Sequence, residues 1–276
     1  MRNPFGTAAL RAKVWRGAIS TLIFLVLWEI GSRSREWFGV PLPWVGQVPA
    51  PTAVLHTSLA LVQSAGYWQS WYLSTFRVFE GFIAAMVVGI PLGLAMAVSR
   101  TFYGIAFPTF EVFRPIPPLA WVPASIIFWP TQELSIAFVT FLGAFYTIVI
   151  NVIGGAKAID VRYFQAARSM GSSSWDIFLR IILPGTLPSI VVGATVGMGI
   201  TWAVVVAAEM ISGGGSAGSM GGAAGGGLGF FIWNSYVGGS YTQIVVGMIS
   251  IGIAGYLSSA LLRKIGEMVT PWLRQR

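Results

Sequence analysis

Few residues in this chain of 276 could do chemistry. There is one histidine, His56, and no cysteine. A multi-histidine metal site, a thiol nucleophile and a disulfide framework are therefore excluded within one copy. No cluster of carboxylates suggests acid–base catalysis, so an integral-membrane enzyme finds no support. What remains is charge placed where charge is costly. Glu29, Glu111, Arg114 and Glu209 lie in or beside long apolar runs. A charge at the centre of a bilayer costs about 2.5–3.5 kcal/mol on insertion scales, so each needs a partner or a task. Glu111 and Arg114 are spaced i, i+3 and can pair on one helical face. The pair either fixes the local backbone or leaves Arg114 facing a path that an anion could follow. Trp202 and Glu209 are seven residues apart and share a face. Packing is the simpler role for Trp202, a gate the other. Glu209 is expected to bond loop backbone rather than substrate, since a carboxylate on the path would repel an anion. Glu29 is expected near an interface or paired.

The elements that position these groups follow from composition. Apolar residues make up 55% of the chain, charged residues 9%, and mean hydropathy is +0.74. A soluble protein carries about a quarter charged residues, and this chain has too little polar surface to cover a core. Its apolar runs are long and continuous, unlike the alternating strands of a membrane barrel. The expected fold is all-α: a polytopic membrane protein of about six transmembrane helices, one domain over 1–276. The spans are expected near 16–31, 77–98, 103–129, 134–153, 187–211 and 244–262, each near the length that crosses the hydrocarbon. The basic start followed by Ala18–Trp28 could be read as a signal peptide. No small-x-small cleavage site follows, so an uncleaved first span is expected.

Charge bias agrees with six spans. Twelve bases cluster in three stretches, near 2–16, 157–180 and 263–276, and apolar runs separate them. With Arg100 they make thirteen bases on one side, whereas 212–243 carries none. That is the positive-inside pattern of cytoplasmic loops, with both termini inside, and it displaces a nucleic-acid reading of the net charge of +8. Arg77 falls at the outer border of the second span. A short amphipathic helix is expected after Pro49-Ala50-Pro51, with Thr52 as its cap and His56 on its polar face.

The third span carries an interruption. Pro115, Pro117 and Pro118 lack an N–H and break a helix. Such a break at membrane depth is tolerated only inside protein or beside a cavity. A new helical half near Leu119 and Trp121 would present a positive N-terminus to an anion. The glycine-rich tract at 213–229 has no strand before it and so no phosphate-loop context. It is expected to be a flexible external loop.

The most informative segment, 156–184, joins spans four and five. It holds Gln165, Ala166, Ala167 and Gly171, then Ser173, Trp175 and Asp176, then Leu183-Pro184. Gly171 allows a turn at positive φ between two short helices. Ser173 with Asp176 can cap the second. The small alanines allow another surface to approach, and Phe164, Met170, Trp175 and Phe178 supply apolar contact. A bare connector would need none of this. The spacing resembles the EAA signature of ABC importer permeases: E-A-A, three residues, G, nine residues, I-x-L-P. Gln165 stands where the family has glutamate, and offers neutral hydrogen bonds instead of a charged one.

The resemblance extends further. Pro49-Ala50-Pro51, Gly89-Ile90-Pro91-Leu92-Gly93-Leu94 and Arg114 to Pro123 are similar to the nitrate/sulfonate/bicarbonate branch. Ala208-Glu209-Met210-Ile211-Ser212 and Gly227 to Asn234 are similar to cyanobacterial-type nitrate permeases, and bicarbonate permeases look alike. The resemblance implies a non-catalytic permease of the inner (plasma) membrane, working by alternating access on a small anion, most simply nitrate and nitrite. It implies a second copy of the chain or a related partner, and two cytoplasmic ATPase subunits docked on the coupling segment. One of these could carry a solute-binding-like domain. A solute-binding protein outside completes the set. ATP and Mg belong to the ATPases, because no G-x-x-x-x-G-K-[ST] occurs here. A channel or secondary transporter is the rival class. It would not need the coupling segment.

Overall fold

The computed structural model describes residues 4–39, 45–213 and 226–272. Among these every regular element is a helix. The chain order is α1 (Pro4–Ser32), α2 (Ser34–Phe38), α3 (Pro51–Val62), α4 (Ala65–Val98), α5 (Arg100–Phe113), α6 (Val122–Phe128), α7 (Gln132–Lys157), α8 (Val161–Ser169), α9 (Ser174–Ile177), α10 (Leu183–Gly213), α11 (Leu228–Val237) and α12 (Tyr241–Val269).

Four helical stretches are long and apolar enough to cross a membrane: Ala65–Val98, Gln132–Lys157, Ser174–Ile211 and Tyr241–Val269. They contain the second, fourth, fifth and sixth spans expected from sequence. The first expected span lies inside α1, whose apolar residues from Ile19 to Leu27 are exposed on all sides. The third is not one helix. α5 stops at Phe113, a single tight turn follows at Pro118–Trp121, and α6 is only seven residues long. The prolines act where expected.

α7 is the centre of the bundle, held between α4 and α10, with α12 against the far side of α10. Lipid tails are as apolar as leucine, so burial alone does not bring these helices together; close packing and polar contacts do. Val78, Phe82, Ile136, Val139, Ile148, Val152, Met198 and Val205 form the sealed core. Two glycines set the approach of the backbones. A Cβ on Gly81 of α4 would collide with the Thr140 side chain of α7, and one on Gly193 of α10 would lie 2.7 Å from Asn151 Cβ.

Local expectations met different fates. Thr52 does not cap α3. It lies inside the helix, and its hydroxyl bonds to Glu29 and Arg33 at the end of α1, because that ion pair offers stronger partners than a backbone N–H. Arg77 lies well inside α4, because that helix begins at Ala65, ahead of the span expected at 77–98. The stretch 212–243 is not all loop, because it contains α11. Most of the glycine tract expected to be a flexible loop, 214–225, lies outside the described residues.

Replacing Gly81 with valine is expected to lower stability by about 1–3 kcal/mol through overpacking. Thermal unfolding of the purified chain in detergent checks this, with Val87→Ala on the exposed face of α4 as the control that should shift little.

Candidate functional site: a coupling segment and an opposed charge cluster

The segment 158–182 joins the end of α7 to the start of α10, so it lies at one end of the bundle. Its first helix, α8, is opened by Asp160, whose carboxylate accepts the Arg162 N–H at 2.9 Å. The helix closes on Gly171 at φ 79. Ser172 N–H reaches the Ala167 carbonyl and Gly171 N–H the Arg168 carbonyl, both at 3.0 Å. These are the paired bonds of a Schellman ending, in which only a left-handed residue fits.

Ser173 and Asp176 then form a reciprocal capping box at the start of α9. Asp176 N–H donates to Ser173 Oγ at 3.1 Å, and Ser173 N–H to Asp176 Oδ2 at 3.2 Å. One turn of wider bonding follows, with Leu183 N–H reaching back five residues to Phe178. Pro184 explains it. The proline ring would clash with the carbonyl four residues earlier and cannot donate to it, and a wider turn relieves both.

Gln165, Ala166 and Gly171 are exposed, whereas Ala167 is buried against its own chain. Only one of the two alanines therefore offers a small surface to a partner. Trp175 is 66% exposed and Met170 79%, and the Trp175 ring stacks on Phe178 at 5.4 Å. Leu183 and Pro184 are half-buried at the root of α10. Exposed aromatic and thioether surface on a segment with fully capped backbone is what a docking surface needs.

The interrupted region lies between α5 and α7. Glu111 and Arg114 do pair, at 3.4 Å, with both side chains about two-fifths exposed. Pro115 and Pro117 are exposed, Pro118 half-buried. Trp121 lies between Phe113 and Phe138. The half-helix expected to offer free N–H groups is weaker than sequence suggested. It opens as a tight turn, Pro117, Pro118 and Pro123 carry no N–H, and Ala120 N–H is bound to the Pro117 carbonyl. The helix that follows has seven residues, too few for a large dipole.

At the end of the bundle opposite the coupling segment lies a buried charge cluster. Arg77 on α4 is 1% exposed and Glu209 on α10 2%. Arg77 NH1 donates to Glu209 Oε1 at 2.9 Å and also to the Gly226 carbonyl. Its Nε and NH2 grip Glu133, at the start of α7, at 2.8 and 2.5 Å. Ser74, one turn before Arg77, donates to the Glu209 carboxylate at 2.8 Å and accepts the Leu228 N–H at 2.8 Å. Gly229 N–H donates to Glu209 Oε2 at 2.9 Å. The carboxylate thus completes the N-terminus of α11, where negative charge is favoured. Glu209, expected to bond loop backbone, bonds the N-terminus of a helix instead, because the stretch after α10 contains α11.

Trp202, seven residues earlier, is buried, and its indole N–H donates to Ser258 of α12 at 2.9 Å. Both Trp202 and Glu209 are fully partnered inside the chain. Neither lies beside Arg114.

Sequence reasoning missed Ser74, Arg77 and Glu133 as one site, and passed over Glu80, which is exposed on α4. One signal existed. Glu209 within a span demands a base, and Ser74 and Arg77 are an i, i+3 pair of polar residues on one apolar helix.

Four helices long and apolar enough to cross a membrane, with sealed charges at one end and a capped, exposed segment at the other, make the architecture of a membrane subunit. Comparison with known proteins agrees. Residues 89–275 match the family described as "Binding-protein-dependent transport system inner membrane component", and the chain belongs to it. It is the membrane subunit of an importer of the ABC type. It is 32% identical to the nitrate import permease protein NrtB of Synechocystis sp., over 94% of this chain and 90% of that one. It is 30% identical to the taurine transport system permease protein TauC of Escherichia coli, over 94% and 93%. The bicarbonate transport system permease protein CmpB of Synechococcus elongatus is 29% identical, over 89% and 88%. In fold it is similar to a chain from the inward-facing MetNI methionine ABC transporter, with a TM-score of 0.57 at 23% identity, covering 78% of this chain and 98% of that one.

Arg77→Met is expected to lose about 3–5 kcal/mol, because it leaves Glu209 buried without its cation. Arg77→Met combined with Glu209→Leu should lose less than the two single losses together. Unfolding of all three variants in one detergent measures the difference.

Proposed function

We propose that this chain forms the path by which an ATP-driven importer takes up a small inorganic anion, nitrate and with it nitrite. The observation that carries the importer reading is the coupling segment. Its two short helices, turned at Gly171 and capped at Ser173, present Trp175 and Met170 outward. Two cytoplasmic ATPase subunits would dock there, around Gln165, Ala166, Gly171 and Trp175, and they would hold ATP and Mg. A second copy of the chain would complete the path, and a solute-binding protein outside would deliver the anion. Both termini would then be cytoplasmic. Closure of the ATPases would push on α8 and α9. That motion enters α10 directly, since the helix runs on from the wide turn at Phe178–Ile182.

Nitrate is favoured by the similarity to nitrate permeases over nearly the whole chain. The pairing of Arg114 with Glu111 in the exposed break leaves a cation that an anion could draw away from its partner. The similarity to bicarbonate and taurine permeases supports a second reading, in which the solute is bicarbonate or a sulfonate.

Deleting the gene should abolish low-concentration uptake of labelled nitrate and leave bicarbonate and taurine uptake intact. Loss of bicarbonate or taurine uptake in place of nitrate would overturn the substrate and keep the importer. Gly171→Val in the restored gene should cut uptake severely while the protein remains in the membrane. A β-branched residue at φ 79 is strained by about 1–3 kcal/mol and would refold the turn that presents Trp175.

A further inference from the structure

The seam between α7 and α10 carries polar groups whose hydrogen bonds the fold leaves unfilled. Two glycines bring the helices together there. A Cβ on Gly193 of α10 would lie 2.7 Å from Asn151 Cβ of α7, and one on Gly155 of α7 would lie 2.3 Å from Ser189 Cβ of α10. Thr147 is one turn before Asn151 and shares its face. Thr147, Asn151 and Ser189 are all half-buried. The seam belongs to the half of the bundle near the coupling segment. At helical rise Asn151 is about 9 Å from the end of α7, and Ser189 about 9 Å from the start of α10.

A hydroxyl on a membrane helix bonds its own backbone, because hydrocarbon offers no other partner. The other four threonines of α7 and α10 do so. Thr140, Thr186, Thr195 and Thr201 each donate to the carbonyl four residues earlier, at 2.7–2.9 Å. Among the described residues, the Thr147 and Ser189 hydroxyls have no partner. The Asn151 amide donates one N–H to the Thr147 carbonyl at 2.8 Å, and its second N–H and its oxygen are free. None of these open atoms is sealed inside the protein. Gly154 of α7 and Gly199 of α10 are exposed, with no atom within 4 Å of where a Cβ would stand, so there is room beside the seam. This side is turned away from α4, whose Gly89 and Gly93 meet Val149 and Val152 across α7. Open donors at membrane depth belong beside a water-filled passage, not against lipid tails.

The chemistry of the donors narrows what passes. Asn151 offers one N–H, Thr147 and Ser189 one O–H each, and none carries a charge. The carboxylates of α7 and α10 are Glu133 and Glu209, both at the far end and held by Arg77, so no acid on these helices repels an anion at the seam. Neutral donors suit an anion that must bind and then leave. We infer that Thr147, Asn151 and Ser189 form a neutral hydrogen-bonding station for a small oxyanion on the inner half of the solute path, with Asn151 in contact with it. The inference rests on the anion-importer reading above. A push entering the first turns of α10 would shift Ser189 against Asn151 and release the anion.

The test uses the transporter with its partner subunits in inside-out vesicles. The chain has no cysteine, so a single introduced one reports its own position. Thr147→Cys should react with a small methanethiosulfonate that carries a sulfonate, and Val87→Cys on the exposed face of α4 should not. Saturating nitrate should slow the reaction of Thr147→Cys about threefold. No reaction of Thr147→Cys, with or without ATP, would overturn the seam as part of the path. A reaction that nitrate, bicarbonate and taurine all fail to slow would overturn the station. Protection by bicarbonate or taurine in place of nitrate would support the station and overturn the nitrate reading alone. Asn151→Asp sets a carboxylate against the anion and should cut uptake of the protecting anion about tenfold in vesicles that retain the assembled complex. Undiminished uptake would overturn the contact at Asn151.

Discussion

The guanidinium of Arg77 is the constraint on which the bundle depends. It is a full charge enclosed among apolar helices, and such a charge is tolerated only when every donor is met. Four helices supply what it needs. α4 carries it, α7 offers Glu133, α10 offers Glu209, and the Gly226 carbonyl comes from the lead into α11. Ser74 closes the cluster by bonding both Glu209 and the first N–H of α11. Removing Arg77 leaves the buried Glu209 carboxylate without its cation, and removing Glu209 leaves the buried guanidinium with Glu133 as its one carboxylate partner. The cluster therefore fixes α4 against the start of α7, the end of α10 and the start of α11 at once, which apolar packing in a lipid environment does not do by itself.

The opposite end of the bundle is built differently. There the backbone is tied by local devices: the Schellman ending at Gly171, the capping box at Ser173 and the wide turn before Pro184. Trp175 and Met170 are exposed there beside polar Gln165, Arg162 and Arg180. One end is locked by long-range charge and the other is a rigid tab with a free face. An importer needs this division. A push on α8 and α9 would, on the proposed reading, pass into α10, whose far end is held by Glu209 to Ser74 and Arg77 of α4. On the proposed reading the solute path opens or closes as these helices move together, with the break at Pro115–Pro118 as the segment least tied to them.

Much of this was legible in the sequence because it is local. Three prolines in four positions break a helix whatever surrounds them. Gly171 followed by Ser173 and Asp176 specifies a turn and a cap within six residues. The apolar runs and the bias of bases specify an all-α membrane fold. The rest was not legible because it is made by residues far apart in the chain. Arg77 meets Glu209 across 132 positions and Glu133 across 56. Nothing near Arg77 announces either. Ala166 and Ala167 are alike as letters, and only packing decides that the second is buried. Thr52 reads as a cap, until the fold brings Glu29 and Arg33 close enough to take its hydroxyl.

The central claim is that the coupling segment and the charge cluster face opposite sides of the membrane, with the former in the cytoplasm. The chain has no cysteine, so single introduced cysteines report side without background. Ser174→Cys on α9 and Tyr236→Cys on α11, both exposed, should be treated with a maleimide that cannot cross the bilayer, in right-side-out and inside-out vesicles. The account predicts that Ser174→Cys reacts only in inside-out vesicles and Tyr236→Cys only in right-side-out ones. Reaction of both from the same side would contradict it.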